Sequence, residues 1–346
     1  MSRADRFLNA CRRLPVDKTP IWIMRQAGRY LPEYRAVRSK VKFLELCKTP
    51  DLATEVTLQP VDIIGVDAAI LFSDILLVSE AMGMELILED QGPQFPSPLK
   101  SRADVDRLHV PDPEAELAFV PQAVRQVKKA LAGRVPLIGF CGAPWTLAAY
   151  MIEGKTSRSF EKAKAMLLGD DALAEALLGK LADSLALYLN AQLAAGADAV
   201  QIFDSWAGAL GPEDYARLGA PYIARVIQKL NRPSNQPVIV FGVETGELLG
   251  QLSQTGADVV GVDWRVPLPE ARRRTGPGVA LQGNLDPCSL FLPRAKLEER
   301  ARRVLSQADE AGPGHVFNLG HGILPGTPVE GAQALVEVVH AHTPAR

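Results

Sequence analysis

The chain has 346 residues, 47% of them hydrophobic and 23% charged, with a formal net charge of −2. That is the composition of an ordinary globular protein with a full core. It leaves no broad basic field to hold nucleic acid, so any positive site for an anion must be local.

In chain order, the segment MSRADRFLNACRR predicts an amphipathic helix within an N-terminal extension of about 1–18. It lacks the apolar core of a signal peptide. No run approaches the roughly 18 apolar residues that a membrane span needs, so no membrane partner is expected. Short apolar, β-branched runs then recur: PIWIM (20–24), DAAILF (67–72), PLIGF (136–140), AVQIF (199–203), PVIVF (237–241), DVVGVD (258–263), VALQG (279–283) and HVFNL (315–319). Continuous apolar runs of this length suit strands buried on both faces, as in a parallel sheet.

Helical patterns separate most of these runs. DLATEVTLQPVDIIG precedes the second, with Asp51 as a candidate N-cap. DDALAEALLGKLADSLALYLNAQLAAG precedes the fourth and ends at Gly196, a candidate C-cap. Strands alternating with helices indicate βαβ units. Eight strands point to a single-domain α/β fold, a (β/α)8 TIM-type barrel spanning 1–346. No GxGxxG follows the first strand, which removes the main support for a dinucleotide-binding sheet. The stretch 89–114 is the least regular part, and a surface excursion carrying a small hairpin is expected over about 85–113. Cys11, Cys47, Cys141 and Cys288 form no CxxC pair. They read as reduced thiols of a cytosolic protein, not as a disulfide framework or structural zinc site.

In such barrels function sits at the C-terminal ends of the strands. The first predicted strand is followed by Arg25, Gln26, Ala27, Gly28, Arg29 and Tyr30, with Arg35 and Arg38 beyond. Arginine's planar fork binds a carboxylate or phosphate through two parallel hydrogen bonds, and Gly28 would let the backbone approach a ligand. Arg35 and Arg38 equally suit a surface loop paired with nearby acids. The second strand leads to Asp74, in an apolar lining of Ile70, Phe72, Ile75, Leu76 and Leu77. It suits a catalytic acid or base, a counter-ion, or the cap of the next segment. Tyr150 lies about two turns into the helix after the third strand. It suits either a ligand contact or a core position with a satisfied hydroxyl. The fourth strand ends in Asp204, Ser205 and Trp206, where Ser205 could donate to an anion or serve as a cap. No GxSxG elbow marks a serine nucleophile. Glu244, Asp263 and Arg265 suit a supporting ion pair. Asn284 and Asp286 lie near the mouth, and His321, between Gly320 and Gly322, is placed to offer an imidazole to a ligand.

These segments together carry a family resemblance. MRQAGRYLPEYR (24–35) closely resembles the signature of the uroporphyrinogen decarboxylases. GAPWTLAAYMIEG (142–154), FDSWAG (203–208), QGNLDP (282–287) and NLGHGILPGTP (318–328) are similar to that family's other blocks, in the same order across nearly the whole chain. The resemblance implies a (β/α)8 barrel, usually a homodimer, with a deep cleft and no cofactor or metal. It implies a carboxy-lyase of porphyrin and heme biosynthesis, removing the four acetate carboxyls of uroporphyrinogen. By position it implies catalytic roles for Arg25, Arg29 and Asp74, with Gln26, Ala27, Gly28, Tyr150, Ser205 and His321 as further substrate-binding positions. The nearest alternative is a corrinoid- or thiol-dependent methyltransferase on a similar barrel. Such proteins commonly carry a zinc site with His-x-Cys, a pattern this chain lacks. A Schiff-base aldolase lacks its strand-tip lysine here, and a non-catalytic tetrapyrrole carrier would leave Asp74 without a purpose.

Overall fold

The computed structural model describes residues 1–89 and 92–344. In chain order the strands are β1 (Ala69–Ile70), β2 (Ile87–Glu89), β3 (Gly92–Gln94), β4 (Leu137–Gly142), β5 (Ala199–Asp204), β6 (Val238–Gly242), β7 (Val259–Gly261), β8 (Ala280–Leu285) and β9 (His315–Leu319). β1 and β4 to β9 form one parallel sheet, each strand bonded to the next in that order. Helices alternate with them, from Pro50–Ile63 before β1 and Phe119–Leu131 before β4 to Arg294–Ala311 before β9 and Val329–His340 after it. Burial of β4 and β8 is complete at every position. This is why these runs read as unbroken apolar stretches and not as alternating ones.

The first expected strand, 20–24, is reduced to a single bridge between Ile21 and Phe317. It still joins the two edges of the sheet. Phe317 N donates to Pro20 O at 2.8 Å and Trp22 N to Phe317 O at 3.3 Å, while Asp67 N donates to Ile21 O at 2.7 Å on the other side. The ring therefore closes as a barrel. The ladder stops because side-chain amides take the next donors: Ile23 N bonds Gln26 Oε1 at 3.0 Å and Met24 N bonds Asn318 Oδ1 at 3.0 Å. Pro20 has no N–H to extend it the other way.

Inside the barrel, Trp22 Nε1 donates to Gln282 Oε1 at 2.8 Å, and Gln282 Nε2 donates to Gln201 Oε1 at 3.1 Å. Side chains alternate along a strand, so Phe203 points inward one layer above Gln201, toward the C-terminal end. It meets Phe140 at 5.5 Å and Phe241 at 6.3 Å between ring centroids, forming an apolar floor beneath the mouth.

The long helix Asp171–Ala194 starts where Asp170 accepts from Leu173 N at 2.9 Å. It stops before Gly196, whose φ of +114° takes the left-handed turn, as the sequence predicts. Asp51 is not a cap: the helix begins one residue earlier, with Pro50 at its first position, and Asp51 lies in the first turn. Proline there loses no hydrogen bond, which makes it the better starter. In the irregular excursion β2 and β3 form the small expected hairpin; Asp90 and Gln91 lie outside the described residues. Phe95 N donates to Gly154 O at 2.7 Å and Leu99 N to Met151 O at 2.9 Å, pinning this excursion to the helix Pro144–Glu153.

The N-terminal helix is Arg3–Cys11, capped by Ser2. It docks at the N-terminal end of the barrel through the fully buried Asp67, which accepts from Arg6 Nη1 at 3.1 Å and Ile21 N at 2.9 Å and contacts His340 Nε2 at 2.7 Å. No described helix is long and apolar enough to cross a membrane.

Candidate active site

The chain leaves the first barrel segment through Arg25, which holds a left-handed φ of +64°. That conformation is uncommon for a residue with a side chain and persists only where the surroundings impose it. Two glycines make room for it here. A Cβ on Gly28 would lie 2.7 Å from Arg25 O, so the turn closes only on glycine, and Leu31 N then bonds Gly28 O at 3.0 Å. A Cβ on Gly322 would lie 2.8 Å from Arg25 Cγ and 2.9 Å from its Nε. The His321 loop is thus shaped around the Arg25 side chain.

Arg29 is exposed further along the same loop. Arg35 Nη1 braces that loop by donating to Arg29 O at 2.7 Å and Tyr30 O at 3.0 Å, and Arg38 Nη1 donates to Val41 O at 2.6 Å. Among the described residues both therefore pair with backbone carbonyls and not with surface acids. Gln26 is fully buried with both amide atoms engaged, Oε1 by Ile23 N and Nε2 by Ala68 O. Its side chain joins the loop to the lead-in of β1. Ala27 packs against the core.

Asp74 follows β1, half-buried, with Oδ1 accepting from Leu76 N at 2.8 Å. That bond closes the turn before the helix Leu77–Ala81, whose N-cap is Leu76, so Asp74 is not the helix cap that was one of its expected roles. Burial raises its carboxyl above the usual carboxylate range, and the Leu76 bond and the Arg25 charge oppose the rise. The same Arg25 charge reaches two more groups. Burial pushes the Tyr150 hydroxyl up to about 12, with Asp74 adding to the rise and Arg25 opposing it. Burial lowers the His321 imidazole, and the Arg25 charge lowers it further, which favours its neutral form. Four residues, three from loops and Tyr150 from the helix Pro144–Glu153, therefore share one electrostatic environment. Ser205, half-buried just past β5, adjoins Trp206, whose ring meets Tyr150 at 5.8 Å. Arg29 acts on the hydroxyl of Tyr34, and the Tyr34 ring packs 5.6 Å from Phe72, two residues before Asp74.

Other strand-end polar groups are consumed by the scaffold. Asp204, fully buried, accepts from Thr146 Oγ1 at 2.7 Å and Tyr215 OH at 2.8 Å, and burial raises its carboxyl to about 6. Thr146 Oγ1 in turn accepts from Trp206 N at 3.1 Å, so Asp204 fixes the turn that carries Ser205. Asn284 donates to Asp263 O and Val266 O, and Asp286 caps Cys288 N. Glu244, Asp263 and Arg265 form the expected ion-pair group. The phenylalanine floor lies within the strands and not in the loops past them; its trace in the sequence is phenylalanine at 203 and 241, which stand in register on β5 and β6.

A cavity of about 450 Å³ lies at the opposite end of the barrel, lined by Arg12, Arg232, Ser234, Asn235 and Asp258. Its cations already have partners: Arg12 bonds the carbonyls of Ser234 and Asn235, and Arg232 bonds Asp258. Among the described residues no three His, Cys, Asp or Glu side chains converge as a metal site requires.

Comparison with known proteins follows the same geometry. The family described as uroporphyrinogen decarboxylase (URO-D) matches residues 2–342. A uroporphyrinogen decarboxylase of Myxococcus xanthus is 56% identical over 339 residues, covering 98% of this chain and 96% of the relative. One from Trichlorobacter lovleyi is 53% identical over 336 residues, covering 97% and 98%. Among solved structures, a methyltransferase from Methanosarcina mazei superposes with a TM-score of 0.80 at 21% identity, covering 98% of both chains. At that identity it speaks for the fold alone.

Proposed function

We propose, from the premise that this chain belongs to the uroporphyrinogen decarboxylase family, that it removes the four acetate carboxyls of uroporphyrinogen III to give coproporphyrinogen III and carbon dioxide. The named relatives, about half identical along nearly the whole chain, favour this reading over the methyltransferase alternative. The observation that carries the site assignment is the Arg25 side chain lying against Gly322, next to His321, where its charge also reaches Asp74 and Tyr150.

Loss of CO₂ from an acetate leaves an electron pair on the carbon beside a pyrrole. The ring itself can take that pair once a proton adds at its α-carbon and makes it cationic. The pair returns when the methylene carbon is protonated to a methyl group and the α-proton leaves. Each round thus consumes one proton and releases one CO₂, with no external electron sink. Asp74 is the strand-end carboxylate set in an apolar lining, and it accepts hydrogen bonds from the pyrrole N–H groups and stabilises the cation. Arg25 and Arg29 hold peripheral carboxylates as forks and position the reacting acetate. Ser205, Tyr150 and His321 supply further polar contacts, Gln26 sets the loop, and Ala27 and Gly28 leave room for the ligand. The phenylalanine floor gives the macrocycle an apolar support without directional bonds, which tolerates the rotated poses that repeated rounds require. The same reading makes the protein a cytosolic homodimer, which sedimentation of the purified chain tests.

Anaerobically reduced uroporphyrinogen is the assay substrate. Asp74→Asn keeps the shape and removes the charge, so turnover should fall about 10²–10³-fold. An Asp74→Asn enzyme with wild-type turnover would refute the assignment, as would unchanged kcat/KM in both Arg25→Lys and Arg29→Lys.

A further inference from the structure

The exit of β7 carries a group that the reaction above leaves unused. Asp263, almost fully buried, accepts from Glu244 N at 2.6 Å and from Arg265 N at 2.8 Å, so one carboxylate fixes the backbone of both neighbours. Arg265 Nη1 leans back on Asp263 at 3.2 Å, and its guanidinium lies 4.0 Å over the Trp264 ring. The Trp264 ring meets His321 edge-on at 6.3 Å, and a Cβ on Gly320 would overlap the Trp264 backbone. The guanidinium is thus locked in place against the loop that carries His321.

The other nitrogen behaves differently. Nη2 donates at 3.0 Å to Glu244, whose side chain is 59% exposed, while Arg265 itself is 43% exposed. Arg265 Nε has no bond among the described residues. A buried acid anchors the fork and an exposed acid covers its outer edge. Exposed pairs of this kind contribute little to stability and exchange readily. β7 stands three places round the ring from the segment that carries Arg25.

We propose that Arg265 is a further carboxylate-binding fork at the mouth, with Glu244 as an internal stand-in that a peripheral carboxylate of the macrocycle displaces. The proposal rests on the decarboxylase reading and adds a subsite to it. A ring with eight carboxylates presents more anionic groups than Arg25 and Arg29 can hold. A fork held by Asp263 and Trp264 is oriented before the ligand arrives, which lowers the entropy cost of binding.

The test is steady-state turnover of anaerobically reduced uroporphyrinogen III by wild type, Arg265→Gln, Arg265→Lys and Glu244→Gln, with the thermal midpoint of each. Arg265→Gln should raise KM about tenfold while kcat stays within about twofold. Arg265→Lys should recover only part of that, since it keeps charge without the fork. Glu244→Gln should lower KM about threefold, because the stand-in is weakened. A KM that rises or stays unchanged in Glu244→Gln, or stays unchanged in Arg265→Gln, overturns the proposal, since the pair then merely props the wall. Glu244→Gln decides the matter even if the Arg265 variants fold poorly. Failure of the underlying reading is separate: it shows as no turnover of anaerobically reduced uroporphyrinogen III by the wild type.

Discussion

Replacing Gly322 by alanine should cost about a hundredfold in kcat/KM while barely moving stability. Gly322 takes no left-handed φ, so alanine is not strained by the backbone. Its new methyl carbon, however, would stand 2.8 Å from Arg25 Cγ and 2.9 Å from Nε. Non-bonded carbons pack at about 3.5–4.0 Å, so the Cγ contact alone is short by roughly 0.7–1.2 Å. The Arg25 backbone is already held at φ +64° and closed by Gly28, which leaves the side chain to move. A shift of about 1 Å in a positioning group costs on the order of 10²-fold. The assay is kcat/KM on anaerobically reduced uroporphyrinogen, with the thermal midpoint as the control for folding. A Gly322→Ala enzyme with wild-type kcat/KM would show that the placement of Arg25 is not critical and would remove the reason for the glycine.

Asp204 gives a pH prediction. Its carboxyl rises from an ordinary 3.8 to about 6 on folding, so between those values the native state binds more protons than the unfolded one. Stability from this group is therefore fully present below about 4 and is lost as pH rises through 6, a difference of about 3 kcal/mol from a rise of roughly two units. Urea midpoints should show wild type losing that margin against Asp204→Asn between pH 4 and 7, and parallel pH profiles for the two proteins would contradict it. At the other end of the barrel, Asp67→Ala strands Ile21 N and His340 and takes one of two carboxylates from Arg6, which keeps Asp17. It should cost about 3–5 kcal/mol in urea unfolding, with kcat of the folded fraction unchanged; an unaltered midpoint counts against the latch. Tyr150→Phe keeps the ring against Trp206 and removes only the hydroxyl. It should raise KM about 3–10-fold if that hydroxyl meets substrate, whereas an unchanged KM returns Tyr150 to the core.

The amino-acid sequence alone determined the barrel and most of the mouth. Strands buried on both faces are written as apolar runs, helices as caps and periodic stripes, and both are local patterns. The barrel's geometry then makes every residue just past a run a site candidate, Arg25, Asp74, Ser205 and His321 among them. Tertiary structure alone decided which polar groups at that rim remain free. Gln26, Asp204 and Asn284 look as available in sequence as Ser205, yet each is bonded into the scaffold. The shortening of the first strand has the same origin: Met24 N is claimed by Asn318, nearly the whole chain away. A hydrogen-bond partner so distant in sequence leaves no periodicity, and only the closure of the ring brings the two together.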